Sequence, residues 1–171
     1  IHGNVFLADE LYSITAKGLI CLLGFMGSHA GAIKEFRMTL PEHSLIGEFF
    51  PEQNQLKISL HPYMMSRIVD FAKMITYMKP LQEGTFNLEV ISDDQCPWNI
   101  GVWQMTNKDG KVSCKQIEDG LVDFSGPITA WTQVLLGRLS MSDAVKLGLI
   151  TDYRIKKLEF KKGDVSFYDY F

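Results

Sequence analysis

The carboxyl end of the chain carries its most unusual chemical groups. Four of the last five residues are aromatic, namely Phe167, Tyr168, Tyr170 and Phe171. Terminal residues are usually frayed and polar, so an aromatic end must either pack against protein or remain as an exposed apolar patch. Packing would also hold the α-carboxylate of Phe171 in a defined place. A tail that packs only for stability explains the same residues equally well.

An acidic pair and three tryptophans are the other groups that could do chemistry. Asp93 and Asp94 are adjacent at a predicted strand end, where neighbouring side chains point to opposite faces, so we expect a solvated turn. Trp98, Trp103 and Trp131 could line a ligand pocket. Large aromatic residues dominate protein cores, and core packing is therefore the favoured interpretation of the tryptophans.

Composition excludes several classes of protein. The chain has 171 residues with 17 basic and 20 acidic side chains, a formal net charge of -3, and 46% hydrophobic residues. These values are typical of a folded globular chain. The slight acidic excess argues against nucleic acid as a partner, because phosphate binding needs basic residues. No apolar run approaches the ~20 residues of a membrane span.

Cysteine and histidine spacing predicts neither a metal site nor a disulfide framework. The chain has three cysteines and four histidines, which are Cys21, Cys96, Cys114, His2, His29, His43 and His61. No two cysteines form a C-x-x-C pair, and no histidines have the H-x-x-x-H spacing of a metal motif. Reduced cysteines favour a cytoplasmic location.

The first sixty residues predict alternating strands and helices. Apolar residues recur at helical spacing over 11–28, with Ser13 as the expected N-cap. Strands are predicted at 5–8, 32–40 and 56–60, and a helical turn at 45–50.

From residue 71 onward the pattern predicts a helix, a meander of strands and then three helices. The first helix spans 71–78, and strands follow at 85–91, 98–105, 111–117 and 121–124. Asp109-Gly110 is a strong hairpin signal between two of these strands. Helices are expected around Trp131, from Ser140 to Gly148, and from Thr151-Asp152 through Leu158. This order predicts the α+β class.

Three segments together resemble a known family of enzymes. They are Asp93-Asp94-Gln95-Cys96-Pro97-Trp98-Asn99-Ile100-Gly101-Val102-Trp103, Met64-Met65-Ser66-Arg67-Ile68-Val69-Asp70 and Trp131-Thr132-Gln133-Val134-Leu135-Leu136-Gly137. In this arrangement they resemble the C-terminal part of the Enhanced intracellular survival (Eis) family of GNAT-type N-acetyltransferases.

The resemblance implies two domains. Residues 1–65 would be the end of a non-catalytic GNAT-like domain, and 66–171 a sterol-carrier-protein-like domain with an antiparallel-rich sheet covered by helices. The catalytic GNAT domain has no counterpart, because its [RQ]-x-x-G-x-[GA] loop for acetyl-CoA has no match. We therefore expect a fragment that binds no cofactor and is inactive alone, while acetyl-CoA serves the parent protein.

The resemblance also implies a role for the C-terminus. In the family the last carboxylate enters the active site of the catalytic domain, and here only Phe171 can match it. Asp169 and Tyr170 would then contact a cationic amine substrate. The implied partners are the catalytic GNAT domain of the same protein, an amine substrate and further copies in a homo-oligomer.

Two other functions remain compatible with the sequence. A sterol-carrier-like fold can hold a lipid or sterol in an apolar tunnel, which Trp103, Met105, Trp131 and Leu135 could line. A filled core explains the same four residues and is preferred. The chain could also be a scaffold for oligomerisation.

Overall fold

A computed structural model gives the arrangement of the chain and describes residues 4–40, 44–52, 54, 56–61 and 65–161. The chain divides into two units, with the division near residue 62. Each unit has its own sheet. Among the described residues, no helix is both long and apolar enough to cross a membrane.

The first unit is a strand–helix–strand motif. Strand β1 (Val5–Ala8) is followed by helix α1 (Ala16–Ser28) and strand β2 (Glu35–Met38), and the two strands pair in parallel. The rings of Phe6 and Phe36, which are opposite each other in the register, lie 5.7 Å apart between centroids.

Two local predictions for this unit were wrong. The N-cap of α1 is Thr15 rather than Ser13, because the Thr15 side chain accepts the Gly18 N–H and its backbone is extended. No strand forms at 56–60, where the described backbone has no ladder partner, and alternation without a neighbouring strand does not make a sheet. The turn predicted at 45–50 is a 3₁₀ helix (Leu45–Phe49).

The second unit is built on a five-stranded sheet. In chain order its strands are β3 (Gly84–Val90), β4 (Gly101–Lys108), β5 (Lys111–Ile117), β6 (Phe124–Gly126) and β7 (Thr151–Asp152). The order across the sheet is β5-β4-β3-β6-β7, and every pair is antiparallel except β3 with β6. Asp109 and Gly110 both have positive φ, 52° and 71°, as a two-residue type I′ hairpin requires.

Two strands begin later than predicted. The strand expected at 98–105 starts at Gly101, because Pro97–Asn99 forms a 3₁₀ turn. The strand expected at 121–124 is β6, displaced toward the C-terminus. The α+β class and the antiparallel-rich sheet are confirmed.

Three helices complete the second unit, and side chains cap the N-termini of two of them. Helix α2 (Phe71–Tyr77) is capped by Asp70, and helix α4 (Met141–Lys146) by Ser140. Helix α3 (Ile128–Leu135) follows Pro127.

The helix predicted from Thr151 through Leu158 was wrong. Thr151 and Asp152 pair with β6, and the Asp152 carboxylate accepts the N–H groups of Arg154 and Lys156 in a turn. Ile155 has φ of 52°, which a helix does not accommodate.

The core lies between the sheet and the helices of the second unit. Trp131 is fully buried, its ring stands edge-on to Phe71 at 5.6 Å, and its indole N–H donates to the carbonyl of Glu89. Core packing is thus confirmed for Trp131. Trp103 is half-buried, whereas Trp98 is 60% exposed.

Candidate functional site

The site residues predicted at the C-terminus lie outside the described residues. Asp169, Tyr170 and Phe171 all follow Lys161, the last position that the structure describes. What can be described is the segment that leads to them. We call residues 156–161 the anchor segment.

Backbone hydrogen bonds attach the anchor segment to the chain between α2 and β3. The Leu81 N–H donates to the carbonyl of Glu159 at 2.7 Å, and the Lys161 N–H donates to the carbonyl of Lys79 at 2.8 Å. These bonds enclose one antiparallel bridge. The segment therefore runs beside residues 79–81, although it is neither a helix nor a strand.

The Glu159 carboxylate binds the first turn of helix α4. One oxygen, Oε2, accepts the Met141 N–H at 3.0 Å, and the other, Oε1, accepts the Ser142 N–H at 2.9 Å. The Glu159 N–H donates to Oε1 of Gln82 at 2.8 Å. Helix N-termini have unpaired N–H groups and favour negative charge, so this placement stabilises both partners. Sequence reasoning missed Glu159, because its partners lie 17 and 18 positions away.

The start of the anchor segment is attached to a buried carboxylate. Asp123 is 1% exposed, and its Oδ2 accepts from the Lys156 ammonium at 2.8 Å and from the Asn87 N–H at 2.9 Å. Oδ1 lies 3.6 Å from Arg154 and has no hydrogen bond among the described residues. Lys156 also lies over the Phe86 ring, 5.5 Å from its centroid. Two cations therefore compensate the charge of one buried carboxylate.

A pocket of about 370 Å³ lies at the C-terminal ends of α2 and α3. Its lining is largely apolar, with charged groups at the anchor segment and the end of α2, and includes Met74, Met78, Val134, Leu139, Met141, Lys79, Glu159 and Lys161. Of the four residues that could line a tunnel, Leu135 lines this pocket, while Met105 and Trp131 are fully enclosed in the core.

A second polar cluster, formed by Arg67, Asp93 and Asn99, corrects one prediction. Asp93 is not in a solvated turn, because it is 2% exposed and pairs with the Arg67 guanidinium. Asp93 accepts the Cys96 N–H at 3.0 Å and the Asn99 side-chain N–H at 2.9 Å. Asp94 is exposed. The local signal for this arrangement was an aspartate whose side chain can accept the backbone N–H three residues later in a turn.

Asn99 connects this cluster to the start of α2. Its Oδ1 accepts the Phe71 N–H at 2.9 Å, and its Nδ2 donates to the carbonyl of Val69 at 3.2 Å. The indole N–H of Trp98 donates to the same carbonyl at 2.8 Å. Side chains of residues 93–99 thus hold the irregular stretch before α2. The polar groups named here form hydrogen bonds or ion pairs with one another, which favours a structural role for the cluster.

Cys114 is not a reactive thiol at neutral pH. Burial raises the pKa of the Cys114 thiol to about 12, with a smaller contribution from the charge of Asp70. Cys96 is buried and Cys21 is exposed, and all three thiols are free. Over the described ranges, no three His, Cys, Asp or Glu side chains are grouped so that they could hold a metal ion.

Known structures share this fold over most of the chain. A probable N-acyltransferase from Enterococcus faecalis V583 superposes with a TM-score of 0.77 and 25% identity, covering 89% of this chain and 39% of that protein. A GCN5-related N-acetyltransferase from Anabaena variabilis ATCC 29413 has a TM-score of 0.68 and 16% identity, covering 86% of this chain and 38% of its own. A GCN5-related N-acetyltransferase from Kribbella flavida has a TM-score of 0.62 and 16% identity, covering 87% of this chain and 38% of its own.

The chain therefore spans about two fifths of the length of these proteins. No curated protein matches the sequence. Residues 68–162 match the model of the sterol carrier protein domain. These residues contain α2, the five-stranded sheet, α3, α4 and the anchor segment. Because the match extends over more than half of the 171 residues, the chain belongs to the sterol carrier protein domain family.

Proposed function

We propose that this chain is the non-catalytic C-terminal region of a GNAT-type N-acetyltransferase of the Eis kind. The observation that carries the proposal is the partial match to a probable N-acyltransferase, which covers 89% of this chain but 39% of that protein. Residues 1–65 are then the end of a GNAT-like domain, and 66–171 are the sterol-carrier-like domain. The remaining length of the parent protein supplies the catalytic domain, which binds acetyl-CoA.

In this proposal the chain completes the acceptor site with the α-carboxylate of Phe171. A carboxylate in a cleft attracts a cationic amine and can accept its proton as the nitrogen attacks the thioester of acetyl-CoA. Asp169 adds negative charge, and the Tyr170 ring offers a face to the cation. The parent protein acts in the cytoplasm as a homo-oligomer. The anchor segment supports this role, because it holds the chain ten residues before Phe171.

Two variants of the longer protein separate a carboxylate role from simple packing. Appending one glycine keeps the Phe171 ring but turns its carboxylate into an amide. Deleting Phe171 moves the carboxylate by ~3.3 Å along an extended chain. If the carboxylate is a base or an anchor, both variants lose acetyl transfer to an amine by ~10²–10⁴-fold. Full activity of the glycine-extended protein would reject the role.

The same proposal predicts that this chain alone does not bind acetyl-CoA. The [RQ]-x-x-G-x-[GA] loop that would hold the pyrophosphate is missing from its sequence. Isothermal titration of the chain with acetyl-CoA should show no heat of binding. Micromolar affinity would contradict the assignment of the cofactor to the absent domain.

A second candidate function rests on the pocket at the ends of α2 and α3. Its volume of about 370 Å³ lies in the range of small-molecule sites, and its lining is largely apolar. This favours binding of a lipid or another small amphipathic molecule. A fluorescent fatty acid should bind the chain, and Leu139→Trp should reduce that binding by filling the pocket. Leu121→Trp, at an exposed position outside the pocket, is the control.

A further inference from the structure

We propose that the free edge of strand β5 binds an extended acidic segment of a partner protein by strand addition, an interaction that goes beyond the function proposed above. β5 (Lys111–Ile117) is the outermost strand on one side of the five-stranded sheet. It pairs with β4 over seven consecutive positions without a bulge, and it contains no proline. The opposite edge, β7, has two residues. β5 is therefore the longer edge, with room to template another strand.

Alternate backbone groups of β5 point away from the sheet. Lys108 and Lys111 flank the two-residue turn and form a hydrogen-bonded pair, and such pairs recur at every second residue of an antiparallel ladder. The intervening residues Val112, Cys114 and Gln116 therefore direct their N–H and carbonyl groups outward. Within the described ranges, no hydrogen bond is made to these outward backbone groups. An added strand would pair with them.

The side chains of β5 divide between the two faces of the sheet. Val112 and Cys114 pack against the core, on the face that the helices cover. Lys111, Ser113 and Lys115 are exposed and alternate with them, so they lie on the other face. Neither lysine has an ion pair among the described residues. The edge therefore presents two uncompensated positive charges, four residues apart.

These two charges select an acidic partner. In an added antiparallel strand, the residues directly opposite Lys111 and Lys115 form non-hydrogen-bonded pairs, in which side chains lie close together. Opposite charges in such pairs are stabilising and like charges are destabilising. A second copy of β5 would bring two lysines from each chain to one face, and this repulsion protects an edge from pairing with itself. A segment with Asp or Glu at two positions four residues apart turns the repulsion into attraction.

The test measures amide hydrogen exchange by NMR in the full chain, with and without a synthetic peptide. The probe is a blocked threonine peptide with glutamate at two positions four residues apart, and its control carries lysine at those positions. In the free chain, the amides of Val112 and Cys114 should exchange faster than those of Ser113 and Lys115, which already bond to β4. The glutamate peptide should slow exchange at Val112, Cys114 and Gln116, and leave Ser113 and Lys115 unchanged.

Further comparisons separate the charge from the strand pairing. The lysine peptide should bind about two- to thirtyfold more weakly than the glutamate peptide, because two charge pairs change sign. Lys111→Glu combined with Lys115→Glu should reverse this preference. Lys157→Glu, at an exposed position in a different segment, should keep it. A glutamate peptide that is N-methylated at the nitrogens facing the edge should not slow exchange at Gln116, because it cannot donate to the β5 carbonyls.

Several outcomes would overturn the proposal. Equal affinity for the glutamate and lysine peptides would remove the charge selection, and binding that leaves exchange at Val112 and Cys114 unchanged would place the peptide elsewhere. Absence of binding up to millimolar peptide would also reject it. Slow exchange at these two amides in the free chain, together with a dimer in sedimentation, would assign the edge to a second copy instead. If the double variant does not fold, the lysine and N-methylated peptides on the unaltered chain decide.

Discussion

Arg67 and Asp93 form an ion pair across 26 positions of the chain, and the Asp93 side chain has no exposed surface. The Arg67 side chain remains 32% exposed. Only the carboxylate of this ion pair is therefore fully removed from water. A carboxylate in that position depends on its donors, which here are Arg67, the Cys96 N–H and the Asn99 amide.

Asp93→Ala should lower the free energy of unfolding by about 3 kcal/mol, because it leaves two buried N–H groups without acceptors and Arg67 without its partner. Urea unfolding at neutral pH measures the loss. Asp94→Ala is the matched control, since its exposed side chain predicts a change within about 0.5 kcal/mol. Equal losses in the two variants would contradict the burial of Asp93.

Trp131→Ala should cost ~3–5 kcal/mol of unfolding free energy, because it empties a fully buried indole site and breaks the hydrogen bond to Glu89. Trp98→Ala is the comparison. That ring is 60% exposed, and its loss removes mainly one hydrogen bond to Val69, worth about 1 kcal/mol. Thermal melts of both variants give the order, and an unchanged melt of Trp131→Ala would place that residue outside the core.

Lys156→Met should cost about 1–3 kcal/mol, because the methionine fills the space of the lysine stem but leaves the buried Asp123 carboxylate with one donor fewer. The loss should persist in 0.5 M salt, since a buried partner is poorly screened. Lys157→Met, at an exposed neighbouring position, should change the unfolding free energy by less than about 0.5 kcal/mol. A loss that disappears in salt would indicate a surface interaction instead.

Cys114 should resist alkylation in the folded chain. With its pKa raised to about 12, its thiolate fraction at pH 8 is roughly 10⁻⁴, so iodoacetamide should label the exposed Cys21 first. Mass mapping of the labelled peptides checks this order. Labelling of Cys114 as fast as Cys21 would show that the thiol is neither buried nor shifted.

The same raised pKa has a consequence for stability. An unfolded thiol ionises near 9.0, whereas the folded thiol keeps its proton up to about 12. Between these values the folded state binds more protons, so the free energy of unfolding falls as pH rises. Cys114→Ala should remove this part of the alkaline decline between pH 9 and 10.5. An identical decline in the variant would assign it to other groups.

Local sequence patterns determined many of the strands, turns and helices of this protein. The predicted meander of strands, with Asp109-Gly110 between β4 and β5, was sufficient to predict an antiparallel sheet. The cap at Ser140 was visible in the sequence, because a cap acts within three residues. Burial of Trp131 followed from its size and helical spacing. The segments that suggested a sterol-carrier-like domain lie largely within the region that matches that family.

Only the tertiary structure decided which polar groups are buried and which partners they bind. Asp93 is buried because Arg67 and Asn99 meet it, and Glu159 caps α4 from 17 positions away. The helix predicted from Thr151 through Leu158 is absent, and Lys156 in that stretch binds the buried Asp123 instead. Local propensity acts over a few residues, whereas a buried charge is stable only where distant donors converge on it. The sequence alone therefore predicted most of the helices and strands, and the packing of those elements selected which carboxylates face water and which are buried.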